Sequence, residues 1–262
     1  MADMSDTNVP VDYTIRFERA DAEGVDQDAE WCILETPEGP PQRIRFHDYD
    51  EIYTIPGLYE RLFYDELKCT SPVVVRELLA GALEERGASA RQLRVLDVGA
   101  GNGMVGEELD RLGAEHLVGV DIIGEARDAA LRDRPGVYDD YLVVDLTDPT
   151  AAEDRALRDG RFNAMTCVAA LGFGDIPPEA FARAYDYVEV GGYVAFNLKD
   201  RFFEDDDPSG FNLLIRELLD EDVLHPLTRR RYVHRLSVAG EELVYEAIVA
   251  EKRGPLPAGA LG

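Results

Sequence analysis

The sequence predicts an α/β fold: a seven-stranded mixed sheet with helices on both faces, preceded by a small N-terminal antiparallel β meander. Three observations carry the prediction. From residue 93 onward, short apolar runs alternate with helical segments, the βαβ rhythm of a parallel sheet. The later stretch RRYVHRLSVAGEELVYEAIVAEKR instead reads strand, turn, strand: an antiparallel hairpin turning at Ala239-Gly240. Before residue 50, three runs of alternating apolar and polar residues are separated by acidic and Pro/Gly turns.

Residues 1–10, MADMSDTNVP, read as a polar, disordered tail, and residues 11–50 as the β extension. Its strands are YTIRFER (13–19), EWCILET (30–36) and RIRFHDY (43–49). The main domain takes residues 51–253. It opens with helical periodicity in GLYERLFYDELK (57–68). Ser71-Pro72 then starts a helix to about Glu85, with proline in its first turn. Strands follow at 93–98, 117–121, 141–145, 162–168 and 191–198, with helices near 103–112, 124–132, 151–158 and 178–188. NLLIRELLDE (212–221) is helical and leads into the hairpin. Residues 254–262, GPLPAGALG, read as a second disordered tail.

Composition narrows the function. The chain has 262 residues, enough to bury one sizeable core. No apolar run reaches the ~20 residues of a membrane span, and the N-terminus lacks the basic start and apolar centre of a secretion signal. The net charge is −26, from 53 acidic and 27 basic residues. Such a field keeps the surface hydrated and repels phosphate backbones and anionic lipid, so neither nucleic acid nor a membrane is expected as a partner. Cys32, Cys69 and Cys167 are odd in number and far apart, with no C-x-x-C pair, which points to a reducing, cytoplasmic compartment. His47, His116, His225 and His234 show no ligand spacing, so no metal is expected.

The chemistry concentrates in VLDVGAGNGMVGEEL, residues 95–109. At a strand-to-helix turn, glycines let the backbone approach a ligand and the helix N-terminus presents free N–H groups. Gly101, Gly103 and Gly106 have the G-x-G-x-x-G spacing of a dinucleotide site. In that fold, however, the first glycine directly follows the strand. Here that glycine is Gly99, and counting from it the third position is Met104. The dinucleotide pattern fits only when shifted two residues into the loop, which leaves a nicotinamide-dependent oxidoreductase as the weaker alternative.

S-adenosylmethionine has no phosphate to hold. It carries an ammonium, a carboxylate, a sulfonium and a ribose diol. Asp97, at the strand end, suits the ammonium, directly or through water, and the loop Gly99, Ala100, Gly101, Asn102, Gly103 suits the methionyl and ribose portion. Asp121 ends the second strand, LVGVDII, and suits the two ribose hydroxyls, with Ile122 beside it. Asp145-Leu146 ends the third, YLVVDLTD, which is similar to the strand end where methyltransferases put an acid for the adenine amine and an apolar neighbour for the ring. Val168 lies at the end of the fourth, where the reacting methyl would face its acceptor. Each acid also has a plain structural reading, as a helix cap, a turn residue or a solvated side chain. Three acids at three successive strand ends favour the cofactor.

On these motifs the chain resembles the class I S-adenosylmethionine-dependent methyltransferases over roughly residues 45–253. HDYDEIYTIPGLYERLFYDELKCTSP together with CVAALGFGDIP is similar to the Williams–Beuren-region methyltransferase-like proteins and related bacterial small-molecule methyltransferases. The resemblance implies a Rossmann-like sheet of order 3-2-1-4-5-7-6, strand seven antiparallel, with the cofactor at the carboxyl ends of strands one to four. It implies methyl transfer by in-line displacement to an oxygen or nitrogen of a small-molecule acceptor. A catalytically silent cofactor-binding subunit is the alternative. Acceptor-side candidates are Phe173 and Asp175 after strand four, Asn197 and Lys199 after strand five, and His225 and His234 near the hairpin, with Asp175 and His225 as catalytic candidates. Tyr53, Tyr59 and Tyr64 are expected to fold over the cofactor, a hydroxyl reaching its carboxylate. The acidic run EDDD (204–207) reads as solvated. The meander is expected to cover the acceptor site or to form a homodimer contact.

Overall fold

The computed structural model describes residues 12–19, 24–171, 175–199 and 210–257. The tail at 1–10, residues 258–262 of the second tail, Phe173 and the run at 204–207 lie outside the described residues.

Two sheets organise the chain. The first is the meander: β1 (Thr14–Arg16), β2 (Trp31–Glu35) and β3 (Gln42–Arg45), antiparallel in the order β1-β2-β3. The third strand stops at Arg45, short of the expected Tyr49. The chain turns there and enters α1 (Tyr49–Thr54), a helix that the strand-like alternation of RIRFHDY concealed. After it, α2 (Leu58–Glu60) runs into a π-helical stretch, Arg61–Glu66, and α3 (Ser71–Glu85) comes next.

The second sheet has seven strands. β4 (Arg94–Val98), β5 (His116–Asp121), β6 (Asp140–Val143), β7 (Phe162–Cys167) and β8 (Val188–Lys199) are parallel. β9 (Leu224–Leu236) and β10 (Glu242–Lys252) form the hairpin, and β10 lies antiparallel to β8. The order is β6-β5-β4-β7-β8-β10-β9, which is the implied 3-2-1-4-5-7-6 counted from β4. Pro226, which lacks an N–H, is tolerated because β9 is an edge strand. The connecting helices are α4 (Met104–Leu112), α5 (Gly124–Asp133), α6 (Ala151–Asp159), α7 (Pro178–Tyr187) and α8 (Phe211–Asp220).

Local chemistry sets these boundaries. Gly113 ends α4 in the left-handed conformation that a Cβ disfavours. Thr150 and Glu153 open α6 with a reciprocal capping box. Pro178, whose missing N–H would be unsatisfied anyway, opens α7.

Strand alternation splits the core in two. Leu96 and Val98 face a layer with Phe181, Tyr185 and Leu214 from α7 and α8. Val95 faces the opposite layer, with Leu79, Leu83 and Leu109 from α3 and α4. Each such side chain, taken fully from water, contributes about 1.5–3 kcal/mol.

A third core joins the meander to α1, α2 and the hairpin turn. Cys32, Leu34, Ile44 and Phe46 pack with Ile52, Leu58, Phe63 and Val238, the last from the turn itself. A buried ion pair pins the same junction: Arg235 donates to Glu30 at 2.6 Å, both within 3% of full burial, and Glu30 also accepts the Val238 N–H. The meander therefore sits over the carboxyl ends of the parallel strands.

Candidate active site

A cavity of about 560 Å³ opens at those strand ends. This lies within the ~300–1,000 Å³ of cofactor and ligand sites. Of the expected residues, Gly99, Asp121, Ile122, Asp145, Leu146 and Val168 line it, as do Tyr53, Tyr59 and Asp175. Ala100, Gly101, Asn102, Gly103, Asp97 and Tyr64 do not.

Gly99 makes the first turn. Its φ is +66°, and a Cβ there would stand 2.8 Å from the Ile176 side chain and 2.9 Å from Ala170. Only a bare backbone passes between β4 and the loop after β7. Gly101 donates its N–H to Asp121 at 2.9 Å, and its carbonyl accepts from the Tyr141 hydroxyl at 2.7 Å. Asn102 donates to Glu60 at 2.7 Å, and Arg134 reaches both Glu60 and the Asn102 carbonyl. The loop is thus braced from behind, by α2 and by the residue that ends α5.

Asp97 departs from its expected place against a ligand. Alternation along β4 turns it toward the interior, 1% exposed, while its neighbour Val98 faces the cavity. Its two oxygens accept from Tyr138 and Thr166, each at 2.6 Å. Burial raises its pKa to about 6, against the lowering effect of those two hydroxyls. It organises the loop from beneath.

Asp121 does face the cavity. It accepts N–H groups from Gly101 and, at 3.2 Å, Ile123. Burial raises its pKa, partly offset by these backbone donors. Ile122 is 62% exposed at the cavity, and Leu146 lies buried on the same cavity. Asp145, two residues beyond β6, is exposed. Thr147 donates to it through N–H and hydroxyl, at 2.8 and 2.6 Å, holding its carboxyl below the usual range.

The lining has a consistent charge. Asp50, Asp121, Asp145 and Asp175 are acidic, and among the described lining residues there is no Lys or Arg. Tyr49, Tyr53 and Tyr59 cover the cavity from α1 and α2, their hydroxyls kept neutral by burial. Tyr64 instead stands behind Tyr59, ring centroids 6.2 Å apart, packed on the meander core.

Asp175 meets a residue that spacing arguments passed over. His47 Nδ1 lies 3.0 Å from its carboxylate, and both side chains are largely buried in the cavity wall. The only hint in the sequence was a histidine at the end of a short strand; its partner is 128 positions away.

The other described acceptor-side candidates do not line this cavity. Asn197 is fully buried behind the wall. It accepts the Ala169 N–H at 2.6 Å, which holds Ala169 at φ +57°, and donates to Tyr232 at 2.6 Å and Ser71 at 3.1 Å. Ser71 contacts His234 Nδ1 at 2.6 Å, and burial pushes the His234 pKa well down, so the ring is neutral. Lys199 pairs in register with Tyr245 and does not line the cavity. His225 is a correction. It pairs with Glu251, at the amino end of the parallel strands, because β9 runs antiparallel to β10. It bonds Asp222 at 2.9 Å, across the sheet's length from the cavity. Among the described residues, no group of three or more His, Cys, Asp or Glu is placed to hold a metal ion, and no helix is long and apolar enough to cross a membrane.

Comparison with known proteins agrees with the geometry. Residues 73–243, more than half of the chain, match the family model described as "Methyltransferase domain". The chain is 31% identical over 120 residues to a ubiquinone biosynthesis O-methyltransferase of Aromatoleum aromaticum, covering 46% of this chain and 50% of that protein. It is 28% identical over 154 residues to the Escherichia coli protein of the same name, covering 59% and 62%. The chain thus spans about half the length of the curated relatives it matches. The N-methyltransferase NodS of Bradyrhizobium japonicum, solved with S-adenosylhomocysteine, shares the fold at a TM-score of 0.54 and 13% identity, covering 80% of this chain and 98% of NodS.

Proposed function

The chain belongs to the methyltransferase domain family, and from that premise we propose that it transfers a methyl group from S-adenosylmethionine to an oxygen of a small-molecule acceptor. One observation carries the choice of cofactor: a cavity lined by four carboxylates and, among the described residues, no Lys or Arg. A pyrophosphate would meet that field unpaired, whereas a sulfonium and an ammonium are attracted by it. This separates S-adenosylmethionine from a dinucleotide more sharply than the glycine spacing does.

The residues fit the group. Asp121, Ile122, Asp145 and Leu146 all line the cavity: Asp121 would accept the ribose hydroxyls, Ile122 and Leu146 would contact the adenine ring, and Asp145 would take its exocyclic amine. The exposed Ile122 side chain supports this reading, since a bound ring would cover it. S-adenosylmethionine, when bound, supplies an already activated methyl on a sulfonium. The chain's own task is to orient two partners and exclude water, effects able to supply most of the acceleration. The tyrosine cover from α1 and α2 and the meander above it suit that task.

Oxygen as the receiving atom is supported by the O-methyltransferases this chain resembles. The acidic cavity favours a small acceptor over nucleic acid. The test is incubation with methyl-labelled S-adenosylmethionine and a panel of small hydroxyl-bearing and amine-bearing acceptors. O-methyl products are expected; label appearing on nitrogen alone would overturn the oxygen assignment.

A further inference from the structure

The cavity continues inward. A second, small chamber of about 30 Å³ shares His47, Tyr49, Tyr59, Ala169 and Asp175 with it. Its far walls are Phe46 and Phe63, its polar end Gln27, His234, Arg235 and Tyr245. That volume admits a water or one small substituent, not a ring. Gln27 is 8% exposed; its amide nitrogen donates to the Tyr245 hydroxyl at 2.8 Å, while its carbonyl oxygen has no hydrogen-bond partner. A buried acceptor left so is costly to the fold. It is an opening for a donor group on a ligand.

The shared residues mark the junction where an acceptor would stand between cofactor and chamber. The junction is walled by the Tyr49 and Tyr59 rings, and His47 and Asp175 stand there 3.0 Å apart. An aspartate on Nδ1 of a histidine fixes the ring and favours the form that accepts a proton at Nε2. A phenol or enol, whose acidity lies nearer that of imidazole, can pass its proton fully to the ring before the methyl moves, whereas an alkyl hydroxyl yields its proton only as the new bond forms. Among the described residues, the charged side chains that line these spaces with His47 are Asp50, Asp121, Asp145 and Asp175 in the cavity and Asp175 and Arg235, itself paired with Glu30, in the chamber.

Resting on the methyltransferase reading above, we propose that His47, oriented by Asp175, is the general base of the reaction and that the acceptor is a phenol or enol standing at this junction. The hydroxyl proton moves to His47 Nε2. The oxygen lone pair forms the new O–C bond as the C–S bond breaks, its electron pair staying on sulfur. The imidazolium then yields its proton to water once product leaves. Asp175 acts as a positioning residue. The meander, which contributes Gln27 and Phe46 and leads into His47, is on this account the wall of the acceptor site.

The experiment uses the full chain, S-adenosylhomocysteine and 4-nitrophenol, whose phenolate absorbs in the visible. Calorimetry first checks that wild type, His47→Gln and Asp175→Asn bind S-adenosylhomocysteine equally. At a pH below the phenol's own pKa, adding loaded wild-type protein raises the phenolate band. His47→Gln abolishes the rise, and Asp175→Asn reduces it severalfold. On any phenol turned over, His47→Gln lowers kcat by about a hundredfold or more. An equal rise in His47→Gln, or no rise in wild type that binds S-adenosylhomocysteine, overturns the proposal. Failure of wild type to bind S-adenosylhomocysteine overturns the methyltransferase reading itself, and this proposal with it.

Discussion

Tyr138 donates its hydroxyl to Asp97 at 2.6 Å, beneath the glycine turn and away from the cavity. The bond joins the loop before β6 to the end of β4 and gives the buried carboxylate one of its two partners; Thr166 is the other. Because burial dominates, the Asp97 pKa is raised to about 6 in the folded protein, above the ~3.9 of an exposed aspartate.

The sign of that shift sets a pH dependence. A carboxyl whose folded pKa is raised favours the folded state only while protonated, and the advantage is lost as pH rises through about 6. Asp97→Asn keeps the shape without the charge. Its stability relative to wild type should improve by up to about 3 kcal/mol between pH 4 and pH 7. Urea unfolding of both proteins across that range checks it; a constant difference contradicts it.

Gly106 tests the same contact from the other side. In a helix interior, Gly→Ala ordinarily stabilises by ~1 kcal/mol. Here a Cβ would stand 2.5 Å from the Tyr138 ring. The clash should win, so Gly106→Ala should lower the melting temperature and weaken cofactor binding through displacement of Tyr138. Calorimetry reads both.

Ile122 separates binding from stability. At 62% exposed it contributes little to folding. Ile122→Ala should leave unfolding within about 0.5 kcal/mol of wild type while reducing S-adenosylhomocysteine affinity several-fold. An unchanged affinity would remove this residue from the adenine site.

The Glu30–Arg235 pair holds the meander on the main domain. Removing one partner leaves a buried charge, so Glu30→Ala should cost about 3–5 kcal/mol, and Glu30→Leu with Arg235→Met together much less. Thermal unfolding of the single and double variants decides.

The parallel strands and the hairpin were legible in the sequence because apolar periodicity and chain reversal are local; their order came only from the resemblance to the methyltransferases. So were Gly99, Asp121, Asp145 and Leu146, whose positions derive from strand ends. Asp97 was placed in the right turn but on the wrong side of it; alternation with Val98 decides which of the two faces the cavity. His225 lies at the wrong end because β9, antiparallel to β10 which is itself antiparallel to β8, runs in the direction of the parallel strands and so begins at their amino ends. His47 was invisible, since its role comes from a partner 128 residues away and from a strand that ends at Arg45 sooner than its alternation suggests. Tyr138 was missed for the same reason: a loop tyrosine gives no signal until the helix glycine beside it is seen.

The central claim is that the acidic cavity holds S-adenosylmethionine, with Asp121 on the ribose. Calorimetric titration with S-adenosylmethionine, S-adenosylhomocysteine and NAD, on wild type and on Asp121→Ala, tests it most directly. The account predicts binding of the first two, weakened roughly ten- to a hundredfold in the variant by loss of a charge-assisted contact, and none of NAD. Binding of NAD alone would mean that the shifted glycine fingerprint is the true one and the chain is no S-adenosylmethionine enzyme.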